Sequence, residues 1–411
     1  MKASKNAAGI AYSLPLNIYY LAVVLLMLKS VQFNLFWNIN GLIFELFAFA
    51  TTFYHVRVTN QIRFTSKYIP AFLCFTAFML LTLIGDSDVF SFVQLIMKLF
   101  IIGGVIGLKA ESKQRLFSYL ATILSCIIAV SLVAWIAFVF SGFTLFPYKI
   151  EEHDTFHTLY DFKLFLISYR GIDAEFMRFS SVFLEPGWVG AMCCFCLFGI
   201  KFNLKDIRTY VLGLALILSF SLSAYVNIII CGIIWLMVNG KIRNSVVIIG
   251  LMAILSSWVL TYNEGDNALN SLISSRLQLD DEKIISGNNR TNDEFDIRYN
   301  QMIHSEDLWF GFRYRMDKTF SERNYWFASS SGIKKTIMVN GIIGTTLLLF
   351  YFILIARCFR SKEGWIFVLC FMMATFVRDL FVTYFYLIVY ILVLSLYYRD
   401  RLRSYARIAE K

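Results

Sequence analysis

The chain has 411 residues, of which 58% are hydrophobic, 17% aromatic and only 16% charged, and its mean hydropathy is +0.64. Soluble domains carry about 45–50% apolar and about 25% charged residues, so a water-soluble fold is excluded, and apolar runs of helix length exclude a transmembrane barrel. The formal charge of +10 resides largely in basic residues flanking apolar runs, which points to membrane orientation and not to nucleic acid.

The first 140 residues hold five predicted membrane helices, at 14–32, 35–54, 69–85, 89–108 and 116–140. Lys2 and Lys5 precede the first without a small-residue cleavage site, so it reads as an uncleaved helix. Glu45 falls midway along the second segment and Lys98 midway along the fourth. Both segments run the same way, so the two charges are expected at similar depth as a structural intramembrane pair. Unpaired, each would cost about 2.5–3.5 kcal/mol on insertion scales.

A first long loop, 141–181, is mixed in charge and carries His153, His157, Arg170 and Arg178. Four more helices follow at 182–200, 207–221, 223–239 and 244–262, the middle two running together through the Ser219–Val226 stretch. A second long loop, 263–331, holds twelve acidic and eight basic residues. Within it, Thr291 to Glu294 has the spacing of a capping box. Phe295, Tyr299, Met302 and Ile303 then recur at helical period. Residues 266–279 place Leu269, Leu272, Ile273 and Leu277 on one face, as an interfacial helix would. The last helices, 332–355, 364–377 and 380–398, lead into a basic tail.

Twenty-one basic residues fall in the termini and the loops on one side, against Lys29 and Arg378 in the short loops of the other. That bias predicts twelve helices with both termini cytoplasmic and both long loops outside. The eight cysteines lie in or at the ends of apolar segments. Cys193, Cys194 and Cys196 therefore read as small buried residues, with no disulfide framework implied.

Chemistry is expected where charge meets the outer membrane edge. Glu185-Pro186-Gly187 opens the sixth helix, where proline is favoured at the first position and a carboxylate faces the positive helix end. The same setting suits a helix cap and a general base, because a carboxylate kept ionised yet poorly solvated accepts a proton from a hydroxyl. Arg178, Arg290, Arg298, Arg313, Arg315 and Arg323 gather on the same side and offer bidentate donors for phosphate. Arg298 borders the apolar stripe of its helix, whereas His304 falls on the wet face and is discounted as a base.

Arg178-Phe-Ser-Ser followed by Glu185-Pro186-Gly187 forms the first of these motifs. The outer loop from Gly287-Asn-Asn-Arg290 through Trp309-Phe-Gly311-Phe and the run Asn340-Gly341-Ile-Ile-Gly344 complete the set. Together they resemble the Wzy-type O-antigen polymerases. The motifs span only 178–190 and 287–344, and an Arg-x10-Gly spacing at Arg276 and Gly287 is shared with some members. The resemblance implies an all-α polytopic, GT-C-like fold of about twelve helices with two large periplasmic loops, in the bacterial inner membrane. It also implies metal-independent glycosyl transfer between undecaprenyl-pyrophosphate-linked oligosaccharides, with Glu185 as base, the arginines on pyrophosphate, no cofactor, and a chain-length regulator and membrane lipid as partners. A lipid-linked oligosaccharide flippase is the alternative from another class. The related O-antigen ligases carry a histidine after a glycine like Gly311, and residues 311–327 contain none.

Overall fold

A computed structural model describes residues 2–409 apart from 60–61, 63, 84–87, 145–146, 148, 155–156, 170–176, 241, 263–292, 313–331 and 378–381. The chain divides into two compact units. Unit 1 comprises Met1–Thr122, Asn292–Trp365 and Thr375–Lys411, and unit 2 comprises Ile123–Thr291 and Ile366–Ala374.

The chain is a helical membrane protein. Three helices among the described residues are long and apolar enough to cross a bilayer: α4 (Val89–Gly107), α5 (Ala110–Ser141) and α12 (Gly332–Cys358). Six shorter apolar helical stretches accompany them, at Leu16–Ser30, Ser66–Leu81, Pro186–Ile200, Ile207–Leu218, Leu222–Val238 and Tyr384–Arg399. Capping residues and breaks shorten several of the apolar runs.

Unit 1 holds α1 (Lys2–Ser30), α2 (Gly41–Tyr54), α3 (Ile69–Leu81), α4, the start of α5, α12 and α14 (Tyr384–Ala409). Its core is aromatic. Phe75 of α3 lies 4.8 Å from Tyr351 of α12 between ring centroids, and Phe352 lies 5.0 Å from Tyr390 of α14. The Tyr390 hydroxyl donates to the Phe352 carbonyl at 2.8 Å, so a helix surrounded by apolar neighbours keeps its polar tip satisfied. Residues Phe385–Leu394 of α14 are all essentially inaccessible. Outward-facing apolar side chains such as Val89 (76% exposed) and Leu73 (60%) would be anomalous in water but are ordinary against lipid.

The second predicted segment is cut short. Residues Asn34–Phe36 make a single 3-10 turn, and the Asn40 side chain accepts from the Leu42 amide at 3.0 Å, so α2 starts only at Gly41. Glu45 thus sits one turn inside the helix and not at its middle.

Unit 2 holds most of α5, three strands, α6 (Pro186–Ile200), α7 (Ile207–Leu218), α8 (Leu222–Val238) and α9 (Ile242–Thr261). The strands β1 (Lys149–Asp154), β2 (His157–Asp161) and β3 (Leu166–Tyr169) form an antiparallel sheet in the order β1-β2-β3. The chain is predominantly helical, as expected, and this small sheet in the first long loop is an addition to it. Strands of four to six residues inside a loop of mixed charge are invisible to a search for helical period. Phe138 of α5 packs on Phe162 at 4.5 Å, and the Ser131 hydroxyl donates to the Leu164 carbonyl at 2.6 Å, anchoring the β2–β3 turn to α5.

The buried helix α6 meets Cys370 and Phe371 of α13 (Lys362–Val377): the Cys194 and Cys370 sulfurs lie 3.6 Å apart, and Phe195 lies 5.3 Å from Phe371. The cysteines thus pack as small apolar groups. At the other end of α6 a short polar loop leads to α7, whose N-cap Asp206 accepts from the Arg208 amide at 3.0 Å and pairs with its guanidinium at 2.6 Å. The Arg208 hydrogen bond holds the Asp206 carboxyl below the usual range. The stabilisation is present at neutral pH and is lost as the pH falls through the depressed value. Asp206→Ala is expected to cost about 1 kcal/mol, read as a lowered thermal midpoint at pH 7 that converges with the native protein under acid.

Candidate functional site

The predicted seventh and eighth helices separate at Ser219-Phe220-Ser221, and the break is held by residues from upstream of α6. A helix ending in apolar surroundings leaves carbonyls that must find donors. Here each is accounted for. The Tyr225 hydroxyl and the Phe220 amide donate to the Ile217 carbonyl, and the Phe179 amide donates to Leu218 at 3.0 Å. The Arg178 Nε donates to the Ser219 carbonyl at 3.1 Å and its Nη2 to Phe220 at 2.8 Å. A cation is also favoured at the negative end of α7.

Phe220 and Ser181 both adopt left-handed backbone conformations, at φ 44° and 53°. Such residues are costly outside glycine and concentrate at functional sites. The hydroxyls of Ser180 and Ser181 are buried without a hydrogen-bond partner among the described residues. Phe179 and Phe183 are fully buried and fix the segment, Phe179 edge-on to Trp135 at 5.8 Å. Gly190 lets α6 approach the break, since a methyl group there would lie 2.8 Å from the Ala224 Cβ.

Glu185 occupies the N-cap of α6 with extended backbone (φ −129°, ψ 139°), followed by Pro186, as the motif predicts. Its side chain makes no capping hydrogen bond to the helix. The residue therefore begins α6 by its backbone position, without the side-chain cap that the motif allows. Arg178 and Glu185 are both half-buried and flank the strained Ser180-Ser181 turn of unit 2.

Arg298 belongs to unit 1, on α10 (Asp293–Ile303). Phe295 and Met302 of that helix bury against Met338 of α12, with Tyr299 partly covered, while Ile303 is 37% exposed and leaves the predicted stripe. Lys334 pairs with Asp296 at 3.0 Å and lies 5.5 Å above the Tyr299 ring. Arg298 is half-buried and His304 exposed, as their helical positions require. Arg290, Arg313, Arg315, Arg323 and Arg276 lie outside the described residues, as does the predicted interfacial helix.

The docked part of the second loop ends in a contact that periodicity does not reveal. The short helix α11 (Asp307–Phe310) leads to Gly311, and α12 is interrupted at Gly341. Both glycines adopt backbone angles open essentially to glycine alone: φ 75°, ψ 179° and φ 64°, ψ −176°. Their backbones touch. A methyl group on Gly311 would lie 2.5 Å from the Val339 carbonyl oxygen, and one on Gly341 would lie 2.5 Å from the Phe310 amide nitrogen. The Phe312 amide donates to the Met338 carbonyl at 2.9 Å.

Glu45 and Lys98 are neighbours in unit 1, within electrostatic reach of each other. Lys98 extends to the Val382 carbonyl at 2.6 Å and lies 5.1 Å from the Tyr384 ring, whose hydroxyl sits beside the Glu45 carboxylate. The tyrosine is a third member that sequence spacing did not suggest. No protein-family model, no curated protein and no solved structure matches this chain.

Proposed function

We propose that the chain is a GT-C-like O-antigen polymerase, joining undecaprenyl-pyrophosphate-linked oligosaccharide repeats at the outer face of the bacterial inner membrane. The observation that carries this reading is Glu185, a half-buried carboxylate at the positive end of a buried helix whose side chain is not used to cap it. In the reaction, an acceptor hydroxyl oxygen bonds to the donor's anomeric carbon and the bond from that carbon to pyrophosphate oxygen breaks. Glu185 takes the hydroxyl proton, and the leaving pyrophosphate carries away the electron pair. Arginines stabilise that developing charge, the role assigned to Arg298 and to Arg290, Arg313, Arg315 and Arg323. Arg178, engaged with the α7 end, orients the segment leading to Glu185.

Purified protein given lipid-linked repeats, without ATP or added metal, is expected to yield a ladder of longer chains. Movement of repeats across liposomes without chain growth would instead establish a flippase. Arg298→Ala is expected to cut ladder yield at least tenfold more than Arg276→Ala while leaving the thermal midpoint near the native value. Equal yields would reduce Arg298 to a surface charge.

A further inference from the structure

At the end of unit 1 where α5 begins and α12 ends, two lysines share one aromatic floor. Lys113 is only 2% exposed, yet among the described residues its ammonium donates to a single acceptor, the Ile106 carbonyl at 2.7 Å. It lies 5.3 Å from the Tyr68 ring and 5.0 Å from Phe359. Lys67, exposed, lies 4.8 Å from the same Tyr68, 5.7 Å from the same Phe359, and 5.1 Å from Tyr398. Arg360 is within electrostatic reach of the same spot, where the Cys358 thiol donates to the Lys67 carbonyl.

Among the described residues neither lysine has a carboxylate within ion-pair distance. Ring faces attract one cation, but two cations on the same rings also repel, and a buried ammonium is costly unless an anion offsets it. Lys113 sits, moreover, in the first turn of α5, where the helix dipole favours an anion and disfavours a cation. Among the described residues the recess holds no negative group.

The surrounding surface says where that group comes from. Phe64 (44% exposed) lies against Tyr68, and Ile69 (45%) and Leu73 (60%) continue along one face of α3, one turn apart. An apolar strip leading away from a paired-lysine recess fits acyl chains below a headgroup. We propose that the Lys67–Lys113 recess binds the phosphate headgroup of an anionic membrane lipid, with the chains along α3.

The test is native mass spectrometry of the detergent-purified full chain titrated with phosphatidylglycerol, phosphatidylcholine or inorganic phosphate. Phosphatidylglycerol is expected to bind at least tenfold tighter than phosphatidylcholine and to resist excess inorganic phosphate. Lys67→Ala, at an exposed position that leaves folding intact, should weaken it about fivefold, and Lys113→Met by as much again, with phosphatidylcholine unaffected. Equal affinity for the two lipids, or unchanged phosphatidylglycerol affinity in both variants, overturns the proposal. Displacement by inorganic phosphate overturns it too, and would mark a site for a soluble anion.

Discussion

Glu185→Gln is expected to abolish polymer growth while the protein still inserts and folds. The substitution keeps the shape of the side chain and removes its ability to take a proton. Loss of a general base lowers rates by about 10²–10⁴-fold, enough to erase a ladder assayed over several rounds of elongation. Folding is expected to survive because the side chain makes no capping hydrogen bond. What is lost is the interaction of a charge with the helix end, about 0.3–1 kcal/mol. The measurement is a paired one: ladder length from lipid-linked repeats, and the thermal midpoint in detergent. Native ladders at a native midpoint would remove Glu185 from the site. A collapsed midpoint would make it a structural residue.

The second large effect concerns the glycine lock between the second long loop and α12. Gly341→Ala forces a backbone conformation that costs about 1–3 kcal/mol outside glycine. It also places a methyl group 2.5 Å from the Phe310 amide nitrogen, which is backbone and cannot swing aside. Together these exceed about 3 kcal/mol, and the α10–α11 segment should detach from α12, exposing the Phe295–Met302–Met338 cluster. Thermal unfolding and protease sensitivity of residues 293–312 report it. Gly213→Ala is the control: that glycine lies in α7 with open space around it, so alanine is neutral or stabilising by up to about 1 kcal/mol. Equal behaviour of the two variants would show that the Gly311–Gly341 contact does not hold the loop.

Different parts of the structure were legible from the sequence to different degrees. The Glu185-Pro186-Gly187 helix start and the helix after residue 292 are readable because both signals are local: a proline at the first position, a cap, and apolar residues at 3.6-residue spacing. The late start of α2 turned on Asn40, a single capping side chain inside an apolar run that hydropathy averages away. The sheet in the first loop escaped for a related reason, since strands of four to six residues carry too little period to stand out among mixed charges.

By itself, the sequence determined that this chain is a helical membrane protein, which residues carry charge at its apolar edges, and that a carboxylate opens α6. These follow from solvent transfer energies and local backbone preference, which each short segment expresses alone. Only the tertiary structure decided that Arg178 caps a helix ending 41 residues later, that Gly311 and Gly341 meet, and that Lys67 and Lys113 share one pair of rings. Each of these joins groups distant along the chain. Such partners are chosen by which unsatisfied carbonyl, close backbone approach or ring face the packed helices bring within reach, and no local pattern encodes that choice.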